Sequence, residues 1–304
     1  MTVRLLPWFP GQMGVPGSES ELGLHIEPVS AFGAGNVYYV NGYTGSDNNS
    51  GFDPDNCLLT FTAALAKCVA YNHDYIIVMR YPSAGATGET WPISVNIENV
   101  HILGANMAGA SPYAWIAPTG DTAAFSIAAN GVEIAGFDIR GGATHGCIEN
   151  SGTIWRAHIH HNDFGRIGAG QDGIRMTGVV DCPHWLIENN KFGNNLTRTG
   201  IYITHNSTRT RIQKNLFHGC TGVAVHVINT MALGEIFDNQ FRVADGATGE
   251  AITLTATATD GTFINGNCTG QGVVAMGNVP YRDLGANHWG LNYHGLLAIM
   301  PVTV

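Results

Sequence analysis

Apolar residues recur along most of this chain in a fixed relation to asparagine. Each copy of the pattern has an aliphatic residue, two variable positions, an asparagine, one variable position and a large apolar residue. The clear copies are Ile159–Phe164, Ile187–Phe192, Ile212–Phe217 and Ile236–Phe241; weaker copies place their asparagines at Asn267 and Asn287, and an upstream variant, Ile134–Ile139, lacks the asparagine. Successive asparagines lie 28, 25, 24, 28 and 20 residues apart. Such a period predicts a repeat architecture.

A second series of short apolar segments interleaves with the first. These segments alternate apolar and other residues with a period of two, which is typical of strands, and most begin with a glycine that can turn the chain. Their first residues are Gly173, Gly200, Gly222, Ala251 and Gly272. Each repeat therefore contains at least two short strands separated by turns.

Together the two series predict an all-β fold, a single right-handed parallel β-helix. The 3.6-residue periodicity of helical solenoids and the leucine ladder of leucine-rich repeats are both absent. The recurrent isoleucine and phenylalanine should stack inside the tube. The asparagine should occupy a tight bend, where it tolerates a left-handed conformation and its amide can bond to the amide of the next coil. Nine or ten coils would form a rod of roughly 45 Å.

The two ends of such a rod need caps, because they expose unpaired strand edges. Residues 60–71 predict a short capping helix that begins at Thr60 and buries Phe61, Leu65, Cys68 and Val69 on one face. We predict an irregular N-terminal arm at 1–36, a first strand, turn and capping helix at 37–72, the β-helix at 73–290 and a C-terminal tail at 291–304. The tail either folds back as a cap or packs against a neighbouring subunit.

The N-terminal arm is rich in glycine and proline and carries the apolar residues Leu5, Leu6, Trp8 and Phe9 without periodicity. Such a segment cannot bury these side chains by itself. Two interpretations stay open: the arm docks on another chain, or it lies along its own β-helix.

Composition and charge narrow the classes of partner. The chain has 40 glycines and a net charge of −9, with charged residues at 12%. This acidic balance argues against nucleic acid as a partner.

No apolar run reaches membrane-spanning length, and prolines interrupt the N-terminus. We therefore expect no signal peptide, and synthesis in a cytoplasm. Six scattered cysteines predict buried free thiols.

Residues Val37–Ala66 resemble the N-terminal module of many pectate-lyase-like right-handed β-helix proteins. They contain a first strand, a G-S-D-x-N-x-G turn at Gly45–Gly51, a proline-bearing loop and a helix start, with Cys57 where a proline is usual. The following segments look like early coils of β-helix proteins encoded by tailed bacteriophages. The resemblance covers about residues 37–290. It implies the fold and a phage origin, but this fold contains lyases, hydrolases and inert structural proteins alike.

The acidic residues of that turn, Asp47, Asp53 and Asp55, could suggest a calcium loop. Their spacing does not match an EF-hand, and no bidentate glutamate closes the loop. We expect them to stabilise the turn through hydrogen bonds to backbone amides.

The stretch AHIHHNDFG contains His158, His160 and His161 followed by Asp163, a pattern that suggests a metal site. Alignment with the other repeats assigns this stretch to one coil, and among the neighbouring coils that were compared only Glu188 offers a further ligand. Three outward columns can be compared: His160, Glu188, Gln213 and Phe237; His158, Leu186, Arg211 and Glu235; and Arg175, Tyr202, Ala224 and Thr253.

We therefore predict that no column places two carboxylates on adjacent coils. Asp172 and Arg175 are close in sequence, and Asp163 could approach them across a turn. We assign no catalytic, cofactor-binding or metal-binding residue and no cofactor. Whether His160 and Glu188 face one groove stays open.

Two functions follow as hypotheses. The first is a structural virion protein of a tailed phage, such as a capsid-decorating, head-fibre or tail-associated β-helix. It would be trimeric, located in the virion, and bound to other virion proteins such as the major capsid protein or to a host-surface glycan. The second is an enzyme, a polysaccharide lyase or glycoside hydrolase of the tailspike type acting on one outer face. We expect the non-enzymatic role, with no nucleic acid and no membrane as partner.

Overall fold

The computed structural model of the chain describes residues 35–82, 85–105, 114–165, 170–177, 181–193, 196–220, 222–242, 250–255, 261–269, 281–283, 287–294 and 297–299. These residues form a right-handed parallel β-helix, as the repeats predict, with very little helix. Within this part of the chain, no helix has the length and apolar character needed to cross a bilayer. The predicted N-terminal arm falls almost entirely outside the described residues, as does the strand predicted at Gly272.

Three sheets run along the rod. Sheet I has ten strands: Val37–Asn41 (β1), Tyr75–Arg80 (β2), His101–Gly104 (β4), Glu133–Ala135 (β7), His158–His160 (β10), Leu186–Glu188 (β13), Arg211–Gln213 (β16), Glu235–Phe237 (β19), Phe263–Asn265 (β22) and His288–Trp289 (β25). Sheet II has eight: Ile93–Val95 (β3), Phe125–Ile127 (β6), Gly146–Asn150 (β9), Gly170–Met176 (β12), Leu196–Ile203 (β15), Val225–Val227 (β18), Ile252–Leu254 (β21) and Tyr281–Asp283 (β24).

Sheet III has nine strands: Ala114–Ile116 (β5), Phe137–Ile139 (β8), Asp163–Phe164 (β11), Lys191–Phe192 (β14), Leu216–His218 (β17), Gln240–Arg242 (β20), Cys268–Thr269 (β23), Asn292–His294 (β26) and Leu297–Ile299 (β27). Neighbouring strands pair in parallel and come from successive coils, except that β27 pairs antiparallel with β26. The described part of the C-terminal tail therefore folds back on its own sheet.

The interior is a set of stacked apolar columns, because one residue type recurs at one position of each coil. The rings of Phe164, Phe192, Phe217 and Phe241 stack nearly parallel with centroids 4.9, 4.6 and 4.8 Å apart. Gly173 lies against this stack, where an added Cβ would come within 2.6 Å of a Phe192 ring carbon. The predicted columns of isoleucine and phenylalanine are thus confirmed as the core.

The asparagines form a continuous buried ladder beside the phenylalanine stack. In each rung the side-chain Nδ2 donates to the Oδ1 of the next asparagine at 2.9–3.2 Å, and the backbone N–H donates to the same oxygen at 3.0–3.1 Å. Nδ2 also donates to a backbone carbonyl of the preceding coil. The ladder residues are Asn162, Asn190, Asn215, Asn239, Asn267 and Asn292.

Two details of the ladder differ from the sequence prediction. The left-handed residue is the one before the asparagine in five of the six rungs, for example His161 at φ 53° and Lys214 at φ 54°. The last rung is Asn292 rather than Asn287, because Trp289 pairs with Ile264 and so occupies the isoleucine column. Asn287 instead donates to Asp283 at 2.7 Å.

One register on sheet II also differs from the prediction. His226, not Ala224, stands opposite Tyr202 and Thr253, because Val225 pairs with Ile201. Ala224 is buried and takes the position that Gly173 and Gly200 hold in earlier coils, so the segment from Gly222 begins two residues before the equivalent position.

The capping helix is shorter than predicted and spans Phe61–Lys67 (α1), after a short 3-10 helix at Pro54–Asn56. Thr60 is its N-cap and accepts the N–H of Ala63 at 3.0 Å. Phe61 and Leu65 are buried as predicted, and Phe61 packs on Tyr81, Phe125 and Phe137 inside the tube. Val69 follows the end of the helix and is exposed, contrary to the prediction.

The acidic turn holds this cap in place through hydrogen bonds. Asp47 accepts the N–H groups of Leu59 and Thr60 at 2.9 and 3.0 Å, and Asp53 accepts that of Asp55 at 2.8 Å. These contacts agree with the turn-stabilising role predicted for the aspartates. The cysteines are free thiols, buried at five positions and exposed at Cys268.

Candidate functional site

Histidines and glutamates from successive coils meet on the outer face of sheet I. Side chains alternate along each strand, so the residues on either side of a buried isoleucine point outward. Cross-strand pairing places His101, Glu133 and His158 in one outward column and His160 beside Glu188 in the next. We call these five residues the histidine–glutamate cluster.

Glu133 is the centre of the cluster. Its Oε2 accepts a hydrogen bond from His101 Nδ1 at 2.5 Å, and its Oε1 accepts one from His160 Nε2 at 2.7 Å. His158 Nδ1 faces the same Oε1 at 3.9 Å. The carboxylate thus links three coils through three imidazole rings.

Further contacts fix the rings of the cluster. The rings of His158 and His160 stack with centroids 4.1 Å apart. His158 Nε2 donates to Glu188 Oε1 at 3.0 Å, and His160 Nδ1 lies 2.7 Å from His161 Nδ1. Gln213 on the following coil donates to the other Glu188 oxygen at 2.5 Å.

The electrostatics follow from these contacts. Burial raises the pKa of Glu133, but hydrogen bonds from His101 and His160 outweigh it and hold the pKa well below its ordinary value. The hydrogen bond from His158 is the main cause that lowers the pKa of Glu188 to about 2. Burial, with the adjacent His160, lowers the pKa of His161. Both glutamates are therefore ionised at neutral pH.

His160 and Glu188 are direct cross-strand partners and face the same side, which answers the question that the sequence left open. Glu133 and His101 are not predicted by the asparagine repeat, because their coils lack the asparagine that marks it. The signal was available: each of these residues directly precedes an inward isoleucine, Ile134 or Ile102, as His158 precedes Ile159.

A second polar cluster lies on sheet II and does not include the histidines. Asp172 is fully buried and accepts hydrogen bonds from Arg198 and Thr199, including one from Arg198 Nε at 2.9 Å. Arg175 lies 3.5 Å from Glu149 and 3.8 Å from Asp172. The structure thus keeps Arg175 apart from His160 and Glu188, since they belong to different sheets.

Two carboxylates do stand on adjacent coils, in a column of sheet III that the sequence comparison did not include. Asp138 and Asp163 are direct cross-strand partners, and both are buried. Asp163 also lies 3.2 Å from Lys191 Nζ. The prediction that no adjacent carboxylates occur is therefore wrong for this column, and Asp163 belongs to a different sheet from Asp172 and Arg175.

The histidine–glutamate cluster brings possible metal ligands together. Glu133, His158 and His160 each offer a ligand atom, and the three atoms lie within 4.8 Å of one another. Imidazole nitrogens and a carboxylate oxygen are ligands that zinc and similar ions accept. Glu133 and Glu188 also place two carboxylates on either side of His158.

Comparisons with known proteins give two weak structural matches. No protein-family model matches the chain, and no curated protein matches its sequence. Among solved structures, the native GH136 lacto-N-biosidase from Eubacterium ramulus is 12% identical, with a TM-score of 0.26 over 92% of this chain and 69% of that one. Its selenomethionine derivative gives 10% identity and a TM-score of 0.23 over 91% of this chain and 70% of that one. A likeness of this size carries no inference about activity.

Proposed function

We propose that this chain is a structural virion protein of a tailed phage, a rigid β-helix that decorates the capsid or belongs to a head fibre or tail. It acts as a trimer, is located in the virion and binds other virion proteins such as the major capsid protein. Contact with a host-surface glycan is part of the proposal. The sequence resemblance to phage β-helix proteins supports the proposal that the chain belongs to a phage virion.

The ionisation of the outer carboxylates is the main observation in favour of a non-enzymatic role. A glycoside hydrolase needs one carboxyl group that keeps its proton near neutral pH. The pKa of Glu188 is lowered to about 2, and that of Glu133 is also lowered. Elsewhere on the described outer faces, Glu235 pairs with Arg211 at 2.9 Å and Glu250 with Arg282 at 2.7 Å. These ion pairs link neighbouring coils.

Two measurements test this proposal. Size-exclusion chromatography with light scattering should give the mass of a trimer, and a monodisperse monomer would contradict the trimer. Mass spectrometry of particles purified from the phage that encodes this chain should detect it in stoichiometric amount. Its absence from such particles would overturn the virion role.

A second candidate function, polysaccharide cleavage, is favoured by one specific arrangement. His158 lies between Glu133 and Glu188, at 3.9 Å and 3.0 Å, so one imidazole spans the gap between two carboxylates. This places them roughly 5 to 10 Å apart, the range that glycosidases use. The substrate would be a bacterial surface polysaccharide.

The enzyme candidate predicts new reducing ends, or unsaturated products for a lyase, when the protein is incubated with bacterial surface polysaccharides. The Glu188→Gln variant should lose this activity by more than about 100-fold, since it removes an ionised carboxylate. Glu235→Gln, an outward carboxylate of the same sheet paired with Arg211, is the matched control. Equal activity in both variants would exclude the cluster as the catalytic site.

A further inference from the structure

We propose that Glu133, His158 and His160 bind a divalent transition-metal ion of the zinc class on the outer face of sheet I. This proposal is independent of the proposed virion role. The three ligand atoms lie within 4.8 Å of one another. For ligand distances of about 2.0 to 2.2 Å, two atoms on one ion lie roughly 3 to 4 Å apart.

The positions of the individual atoms favour an ion between them. Glu133 Oε1 faces His160 Nε2 at 2.7 Å and His158 Nδ1 at 3.9 Å. A distance of 3.9 Å is too long for a hydrogen bond, yet it fits two ligands bound to one ion at an open angle. His158 and His160 are two residues apart on β10, so both rings project from the same face of one strand.

Hydrogen bonding sets the tautomer of His158 in favour of metal binding. An ionised carboxylate only accepts hydrogen bonds, so the contact of 3.0 Å between His158 Nε2 and Glu188 Oε1 requires a hydrogen on Nε2. In the neutral ring, Nδ1 then carries a lone pair that points towards Glu133 Oε1. Two acceptors face each other, and a cation between them would satisfy both.

Each ligand also has an outer partner on its second polar atom. His158 donates to Glu188, His160 Nδ1 contacts His161 at 2.7 Å, and Glu133 Oε2 accepts from His101 at 2.5 Å. Metal-binding histidines are typically oriented by such a second hydrogen bond, which fixes the ring and its tautomer. Two of the supporting groups come from other coils and the third, His161, directly follows His160, so the fold positions the ligands before the ion arrives.

The donor set indicates the class of ion and its coordination. Two imidazoles and one carboxylate suit zinc and neighbouring first-row ions better than calcium or magnesium, which prefer oxygen ligands. The side chain of His160 is 10% exposed and that of His158 is 32% exposed, so the site opens on one side. Three protein ligands leave a position for water or for an oxygen of a bound molecule.

The hydrogen bond between His160 and Glu133 competes with the ion. On binding, the neutral His160 ring changes tautomer: the hydrogen leaves Nε2, which becomes a ligand, and the ring carries one on Nδ1 instead. The His161 ring changes tautomer in the same step, so that its Nδ1 accepts this hydrogen bond, and no net proton is released. No backbone movement is needed, because all three ligands project from neighbouring parallel strands.

Zinc titration of the chelator-treated full chain, followed by calorimetry, tests the proposal. We expect saturable binding of one ion per site in the wild type. His158→Ala should weaken binding by more than about 100-fold, and Glu188→Gln, which removes the outer partner, by about 10- to 100-fold. His226→Ala is the matched control, since His226 also points outward but bonds to Thr255 on sheet II.

A second variant, His160→Gln, keeps the test decisive if His158→Ala folds poorly, and circular dichroism of each variant checks folding. Absorption of bound Co²⁺ gives an independent signal, because two imidazole ligands change its visible spectrum. The proposal is overturned by a wild type that binds no zinc saturably. Unchanged zinc affinity in folded His158→Ala or His160→Gln would overturn it equally.

Discussion

The asparagine ladder and the histidine–glutamate cluster are both built by stacking side chains on successive coils, but they follow opposite rules. The ladder repeats one neutral residue in the buried interior, and each amide makes the same hydrogen bonds as its neighbours. The cluster sits on the outer face and alternates acid with base, from His101 through Glu133 to His158. Repetition specifies the fold, whereas alternation creates a site that can bind a ligand.

This comparison predicts that interior columns dominate stability. Phe192→Ala removes the ring at the middle of the phenylalanine stack, which lies between rings 4.9 and 4.6 Å away. We expect a loss of about 3–5 kcal/mol in the free energy of unfolding, as for large-to-small changes in other cores. Urea unfolding followed by circular dichroism measures it. A loss under about 1 kcal/mol would show that the stack is not a major part of the core.

A break in the ladder should have the next largest effect. Asn215→Leu removes the acceptor of the Asn190 backbone N–H and side-chain Nδ2, and leaves the carbonyl of Ile187 without its amide donor. Because each buried unsatisfied group costs about 1–3 kcal/mol, we expect a total loss of about 3 kcal/mol.

Asn206→Leu is the control for the ladder, since Asn206 is exposed and lies outside it. It should change the free energy of unfolding by less than about 0.5 kcal/mol. If the two variants lost equal stability in urea unfolding, the ladder would have no special role.

The contrast also explains what could be predicted from the sequence. The ladder and stack were found because identical residues, such as Asn190 and Phe192, recur at one position of the repeat. The end of the ladder was misplaced at Asn287, because the last coil replaces the isoleucine of the pattern with Trp289. A column that combines different residues leaves no repeat of its own, so the only sequence signal for Glu133 is its position directly before Ile134.

The cluster should matter little for folding when no metal is present. His158 is partly exposed, and its hydrogen bond with Glu188 competes with solvent. In buffer with chelator, His158→Ala should therefore lower the free energy of unfolding by less than about 1 kcal/mol. Urea unfolding measures this, and a loss as large as that of Asn215→Leu would show that the cluster is part of the structural core.

The smallest effect is expected at an exposed carboxylate outside both columns, and it should depend on pH. Asp121 accepts hydrogen bonds from the backbone N–H of Thr144 at 2.9 Å and from its hydroxyl at 2.7 Å, and these contacts lower the pKa of Asp121. A carboxyl whose pKa is lower in the folded state adds stability above its unfolded pKa and loses it as pH falls through the folded pKa. Asp121→Asn should therefore be slightly less stable than the wild type at neutral pH and equal to it in acid.

Thermal unfolding across this pH range measures the difference in stability between Asp121→Asn and the wild type. A difference that grows towards acid pH would contradict the predicted direction. The ladder variant Asn215→Leu should show no dependence on pH, because neutral amides do not titrate. Its loss of stability relative to the wild type should stay constant in acid, where that of Asp121→Asn disappears.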